Sequence, residues 1–170
     1  PTPIAFPSMS REGFWIGRYA NNIHDVVAAD LDRSGLFRIL PPSSYIQDLK
    51  GINDEPKFVD WQAIKAQVLI QSAISEVDKD SLKVDFRLWD ISSRQQLLGQ
   101  SFTTKKDNWR RIAHKIADAV YERLTGEKGY FDTRVVYISE SGPLTKRVKR
   151  LAIMDQDGEN HKFLTNGRYM

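Results

Sequence analysis

Between residues 82 and 88 apolar and polar side chains alternate without a break. Leu82, Val84, Phe86 and Leu88 stand against Lys83, Asp85 and Arg87. A period of two is that of an antiparallel strand with one face buried. Just upstream, Val68, Leu69 and Ile70 are contiguous, which predicts a strand covered on both faces. The turn "DKDS" (78–81) joins these runs, "SSRQQ" turns the chain again, and "LLGQSFTT" returns it. Residues 67–104 therefore read as a three-stranded meander.

The period changes to that of a helix in two places. Trp109, Ile112, Ala113, Ile116, Ala117, Val120, Tyr121 and Leu124 lie on one face of a helix over 108–124. Asp107 is placed to cap its start and Gly126 to end it. Earlier, Ile23, Val26, Val27 and Leu31 recur at helical spacing, with Asp25, Asp30 and Asp32 assigned to the opposite face and Gly35 as a left-handed stop. "PIAF" (3–6) reads as a buried strand, and "LFRIL" runs into Pro41-Pro42, which breaks regular structure. Residues 43–57 are loop-like, with one helical turn at "SYIQDL", and Asp60 is the expected N-cap of "WQAIKA".

Beyond "TGEKGYFDT" the helical pattern stops. "RVVYIS", "VKRLAIM" and "HKFLT" are short strands separated by "ESGPLTK" and "DQDGEN", the spacing of a meander of hairpins. A three-stranded piece of this size buries little. The expected organisation is an α/β domain over 1–133 and a second piece over 134–170.

With 170 residues, 41% of them hydrophobic, the chain can bury a core. No apolar run approaches the roughly 20 residues of a membrane span. The chain opens on "PTPIAFPS", without a basic or apolar leader. It reads as a mature or trimmed chain from which an export signal could have been removed. The absence of cysteine excludes disulfides, thiolate metal sites and cysteine nucleophiles. Net charge is +3, mild for a nucleic-acid partner but enough to keep a basic α/β nucleic-acid-binding module as the alternative function.

Candidate chemistry is sparse. Asp155, Asp157 and Gly158 resemble a calcium loop, yet an EF-hand needs Gly at position 6 and Glu at 12, where Asn160 and Asn166 stand. Between two apolar strands the same residues suit a hairpin turn. His24, His114 and His161 are far apart, and the first two are placed on the solvated sides of their helices. The basic stretches "KKDNWRRIAHK" (105–115) and "KRVKR" (146–150) read as solvated faces, with Trp109 assigned to the core. No nucleophile elbow, P-loop or dinucleotide fingerprint occurs. No catalytic, cofactor-binding or metal-ligating residue is assigned, and the chain reads as non-enzymatic.

The order of these stretches resembles the TolB family of Gram-negative cell envelopes from Ile4 to about Thr165. The residues that carry it are "PIAF", "DVVAADLDRSGLFRIL", "DWQAIKAQVLIQSAI", "FRLWD", "LTGEKGYFDTRVVYIS" and "MDQDGEN". The chain departs from the family at Lys65, Ala66 and Gln67, where Gly-Ala-Asp is more usual before the central strand. That change bears on a tight turn and not on the strand.

The resemblance implies a three-layer α/β/α domain with a mixed sheet, like an anticodon-binding domain, followed by a β-propeller. Residues 134–170 would then be the outer strands of an incomplete first blade. It further implies a periplasmic interaction protein of the Tol–Pal system, which maintains outer-membrane integrity and supports constriction at division. The family's partners are the lipoprotein Pal, bound through the propeller, and TolA, engaged through the extreme N-terminal segment. Neither surface maps onto particular residues of this chain.

Overall fold

The computed structural model describes residues 1–168. The chain divides into two compact units between Gly129 and Tyr130, shortly before Thr133.

The first unit is built on a mixed sheet. Strand β1 (Thr2–Ala5) runs parallel to β3 (Phe37–Ile39) on one side and β4 (Val68–Glu76) on the other. Strand β2 (Ser10–Glu12) pairs with β4 farther along, at Ala73–Ser75. Pro7 stands between β1 and β2, and its missing N–H cannot extend a ladder. The expected meander follows as β4, β5 (Ser81–Asp90) and β6 (Gln95–Lys105), all antiparallel. The order across the sheet is β3-β1-β4-β5-β6.

Alternation along these strands sorts the core into two layers. Ile70 and Ile74 of β4 lie opposite Leu88 and Val84 of β5, and all four are buried. This face carries the long helices α1 (Gly17–Arg33) and α3 (Trp109–Thr125), which pack on each other. Leu69 points the other way, into a cluster with Ala5, Leu40, Leu49, Trp61 and Ile91. That second layer is thin. It consists of the short helix α2 (Phe58–Ala63) and the 40–57 loop.

The loop is ordered by side-chain bonds in place of regular structure. Gln71, buried in β4, donates to the carbonyls of Gly51 (2.7 Å) and Asp54 (2.9 Å) and accepts from Trp89 Nε1 (3.1 Å). Gln47 Oε1 accepts from Trp61 Nε1 (2.9 Å) and the Lys57 N–H (2.7 Å). The Tyr45 hydroxyl accepts from the Phe6 N–H (3.0 Å) and donates to the Leu40 carbonyl (2.8 Å), which ties the ends of β1 and β3 together. Each bond satisfies a polar group at the core margin that would otherwise cost free energy.

Several helix ends differ from expectation. α2 begins at Phe58, so Asp60 lies inside its first turn and Lys57 occupies the cap position without a side-chain bond. A 3₁₀ turn, Lys106–Asn108, precedes α3. It places Asp107 before the helix and Asn108 at the cap, again without a side-chain bond. Trp109, expected in the core, is only half-buried at the first turn. The glycine stops are as expected, with φ of +74° at Gly35 and +78° at Gly126.

The departure at Lys65 has a structural answer. The Lys65 N–H bonds the Gln62 carbonyl (2.9 Å) and the Ala66 N–H bonds the Trp61 carbonyl (3.1 Å). With Ile64 as the C-cap, these are the two bonds of a Schellman stop, and Lys65 occupies its left-handed position at φ +61°. The tight turn persists without glycine, and it leads directly into Ala66, which is buried in one cluster with Trp61.

The second unit contains one antiparallel sheet in the order β7 (Arg134–Ser141), β8 (Val148–Asp155), β9 (Lys162–Phe163). Val135, Val136 and Ile138 of β7 remain exposed, as befits a sheet too small to bury both faces.

Candidate interaction surface

His24 is mostly covered rather than solvated. Its ring stacks on Phe6 at 4.2 Å, and its Nε2–H donates to the Phe6 carbonyl at 2.8 Å. His114 is a clearer correction: it is 2% exposed, with Nδ1 2.6 Å from Asp30 Oδ2. Asp30, placed on the polar face of α1, is fully buried, and its Oδ1 accepts from Arg33 at 2.5 Å. The signal was present, since Asp30 follows Val27 by three and Ile23 by seven, on the apolar stripe itself. The pair joins α1 to α3 through a hydrogen bond between two buried polar side chains.

The Asp155 segment is a turn held by hydrogen bonds of its own. The Asp155 N–H bonds the Glu159 carbonyl (2.8 Å) and the Gly158 N–H bonds the Asp155 carbonyl (2.9 Å). Asn160 Nδ2 donates to Asp155 Oδ2 (2.6 Å), and the Glu159 N–H donates to Asp157 Oδ1 (3.1 Å). Gly158 supplies the required positive φ of +90°.

The basic stretches are partly neutralised by carboxylates. Glu140 receives Arg147 at 2.6 Å and Lys149 at 3.1 Å. Those two cations, Arg147 first, hold its carboxyl below the usual range. Lys106 pairs with Glu76, and this bond, with its attraction, outweighs desolvation and raises the ammonium pKa. Arg110 lies over the Trp109 ring at 5.4 Å, so that aromatic serves a cation of its own helix.

A cavity of about 790 Å³ opens in the first unit at the end of the sheet marked by Thr2, Gln67 and Asp90. Lys65 and Asp90 are the charged residues among its lining, and Asp90 Oδ1 already holds the Ser93 N–H at 2.6 Å. Among the described residues no hydroxyl of this lining is hydrogen-bonded to a carboxylate or histidine, the pairing an acyl-transfer site requires.

What the sequence reading passed over is exposed apolar surface. Phe14 and Trp15, in the loop between β2 and α1, are 87% and 77% exposed and touch edge to face at 5.1 Å. Two adjacent aromatics between Gly13 and Gly17, in a segment without periodicity, were the available signal. Among the described residues no helix is long and apolar enough to cross a membrane.

Comparison with known proteins places this geometry. Residues 1–97 match the family described as the TolB amino-terminal domain. A Tol-Pal system protein TolB from Paramagnetospirillum magneticum is 47% identical over 167 residues, covering 98% of this chain and 37% of that protein. The crystal structure of TolB from Acinetobacter baumannii superposes with a TM-score of 0.79 at 27% identity, over 96% of this chain and 38% of that one. The chain thus spans little more than a third of the length of these relatives. The lipoprotein GNA1162 from Neisseria meningitidis shares the fold alone, with a TM-score of 0.52 at 13% identity over 74% of this chain. A family match across more than half of the chain, together with near-complete coverage at 47% identity, establishes that the chain belongs to the TolB family.

Proposed function

We propose that this chain is the amino-terminal part of a non-enzymatic interaction protein of the periplasmic Tol–Pal assembly. It would serve outer-membrane integrity and envelope constriction at division. The observation that carries the reading is the 47% identity to a Tol-Pal system protein TolB across 98% of the chain.

Residues 1–133 would form a rigid α/β platform, and 134–170 the outer strands of a first propeller blade. The exposed apolar face of β7 supports that second assignment, because a blade strand buries its side chains only against neighbouring blades. Pal and TolA are the proposed partners of the full-length protein. The internal ion pairs of the basic stretches favour this reading over a nucleic-acid-binding module, whose cations must face phosphates.

The test is deletion of the full reading frame in its own host. Periplasmic enzymes should leak, detergent sensitivity should rise, and the full-length protein should capture Pal from envelope extracts. An intact envelope together with no capture of Pal would overturn the proposal.

A further inference from the structure

The sheet of the first unit ends in an uncovered strand. β6 is eleven residues long and lies outermost, beside β5 only. Its hydrogen-bonding phase follows from two backbone contacts. The Lys106 N–H donates to the Asp80 carbonyl at 2.7 Å, just past the Ser81–Lys105 pair of the β5–β6 ladder. In an antiparallel ladder bonded pairs recur every second residue, so they fall at Thr104, Phe102, Gln100 and Leu98. The Val77 N–H to Ser81 carbonyl bond (3.1 Å) gives the same phase from the other side of β5. The N–H and C=O groups of Gly99, Ser101, Thr103 and Lys105 therefore point outward from the sheet, and all four residues are exposed.

Native edges are usually blunted by proline, bulges or inward charges. Here the irregularity sits at one end, opposite Leu88 and Trp89, and Arg123 Nε covers the Leu97 carbonyl there at 2.9 Å. From Gly99 to Lys105 the edge has no proline, and its one charge is the terminal Lys105. A cavity of about 400 Å³ runs beside it between β6 and α3, lined by Leu98, Gln100, Ala119, Glu122 and Arg123.

We propose that the β6 edge is a docking site for an extended acidic peptide segment, which adds a strand to the sheet. Backbone pairing would supply affinity, and alternate side chains would enter the groove against α3. The choice of an acidic segment rests on charge. Arg123 borders the groove, Lys115 lies one helical turn before Ala119, and Lys105 ends the strand. On the other side Arg87 adds a cation, Lys83 and Asp85 neutralise each other at 3.2 Å, and Glu122 is the one acid of the groove's lining, so the surroundings of the edge remain basic on balance. A second copy paired through the same edge would set these cations against their own equivalents, a like-charge contact that opposes association. The proposal does not rest on the Tol–Pal reading.

The probe is an acetylated nine-residue peptide of alternating Glu and Val, titrated into the 170-residue chain, with a Lys–Val peptide as control. Binding of the Glu peptide should slow amide exchange at Gly99, Ser101, Thr103 and Lys105. Ser101→Pro removes an outward N–H that β5 does not use, so the fold should survive while affinity falls at least tenfold. Ser101→Ala should bind as the parent does. The exchange map on the unaltered chain decides the matter even if the proline variant misfolds. Equal binding of the Lys–Val peptide, or protection at residues other than these four, would overturn the proposal. So would a dimer in sedimentation that Ser101→Pro abolishes.

Discussion

Lys65 offers a quantitative test of how this fold tolerates a departure from its family. A residue with a Cβ held at left-handed φ costs roughly 1–2 kcal/mol. Replacing it with glycine removes that cost but adds roughly 0.5–1 kcal/mol of backbone entropy in the unfolded chain. The Lys65 side chain is exposed and makes no hydrogen bond or ion pair among the described residues, so little else changes. Lys65→Gly should therefore stabilise the first unit by about 0.5–1 kcal/mol, while Lys65→Ala keeps the strain and gains nothing. Lys65→Asn should fall between them, because its short amide tolerates this conformation. With a slope of about 2 kcal/mol per molar urea, the glycine variant's midpoint should rise by about 0.3–0.5 M. All four tryptophans, at 15, 61, 89 and 109, lie in the first unit, so intrinsic fluorescence reports on that unit directly. A glycine midpoint at or below that of alanine would refute the strain argument.

Other predictions follow from single environments. Ile116 is 2% exposed on α3, so Ile116→Asp buries an unpaired carboxylate and should unfold the first unit; a melting shift of only a degree or two would show the face assignment to be wrong. Burial raises the Tyr45 pKa above its ordinary value near 10, against a smaller lowering by the Phe6 N–H. The folded state then holds the proton more tightly, so its contribution to stability is complete below about pH 10 and fades as pH rises through the folded value. Tyr45→Phe should flatten that alkaline decline in urea midpoints measured from pH 9 to 11, at a cost of about 1–3 kcal/mol for the unpaired Phe6 N–H and Leu40 carbonyl. An unchanged decline would assign it to other groups. At the Asp155 turn, calcium titration should leave the melting temperature and the heat signal unchanged; a micromolar response would overturn the turn assignment.

Much of the fold could be read from local pattern because the relevant forces are local. The meander over 67–104 follows from alternation and turn residues, and the α1 and α3 stops follow from Gly35 and Gly126. Side-chain partnerships were less legible. Asp30 and His114 lie 84 positions apart, and nothing near either residue signals the other. Polarity alone assigned both to solvent, whereas the packing of α1 on α3 buries them as a pair. Asp60 and Asp107 failed as caps for another reason: a short helix and a 3₁₀ turn shifted the starts by positions that propensity does not resolve.

The candidate surfaces divide along the same line. Sequence spacing by itself removed the calcium loop, since no arrangement of the chain can put the required glycine and glutamate where Asn160 and Asn166 stand. It also carried the family, because the order of the motifs survives without coordinates. The edge at Gly99–Lys105 was legible as a strand but not as a free one. Whether a strand's outward N–H and C=O groups meet a neighbour depends on sheet order, and sheet order is decided by contacts between residues distant in the chain. Lys65 shows the converse: the sequence lacks the expected glycine, and the two backbone bonds to Trp61 and Gln62, with Ala66 and Trp61 buried in one cluster, keep the turn despite a strain of about 1–2 kcal/mol.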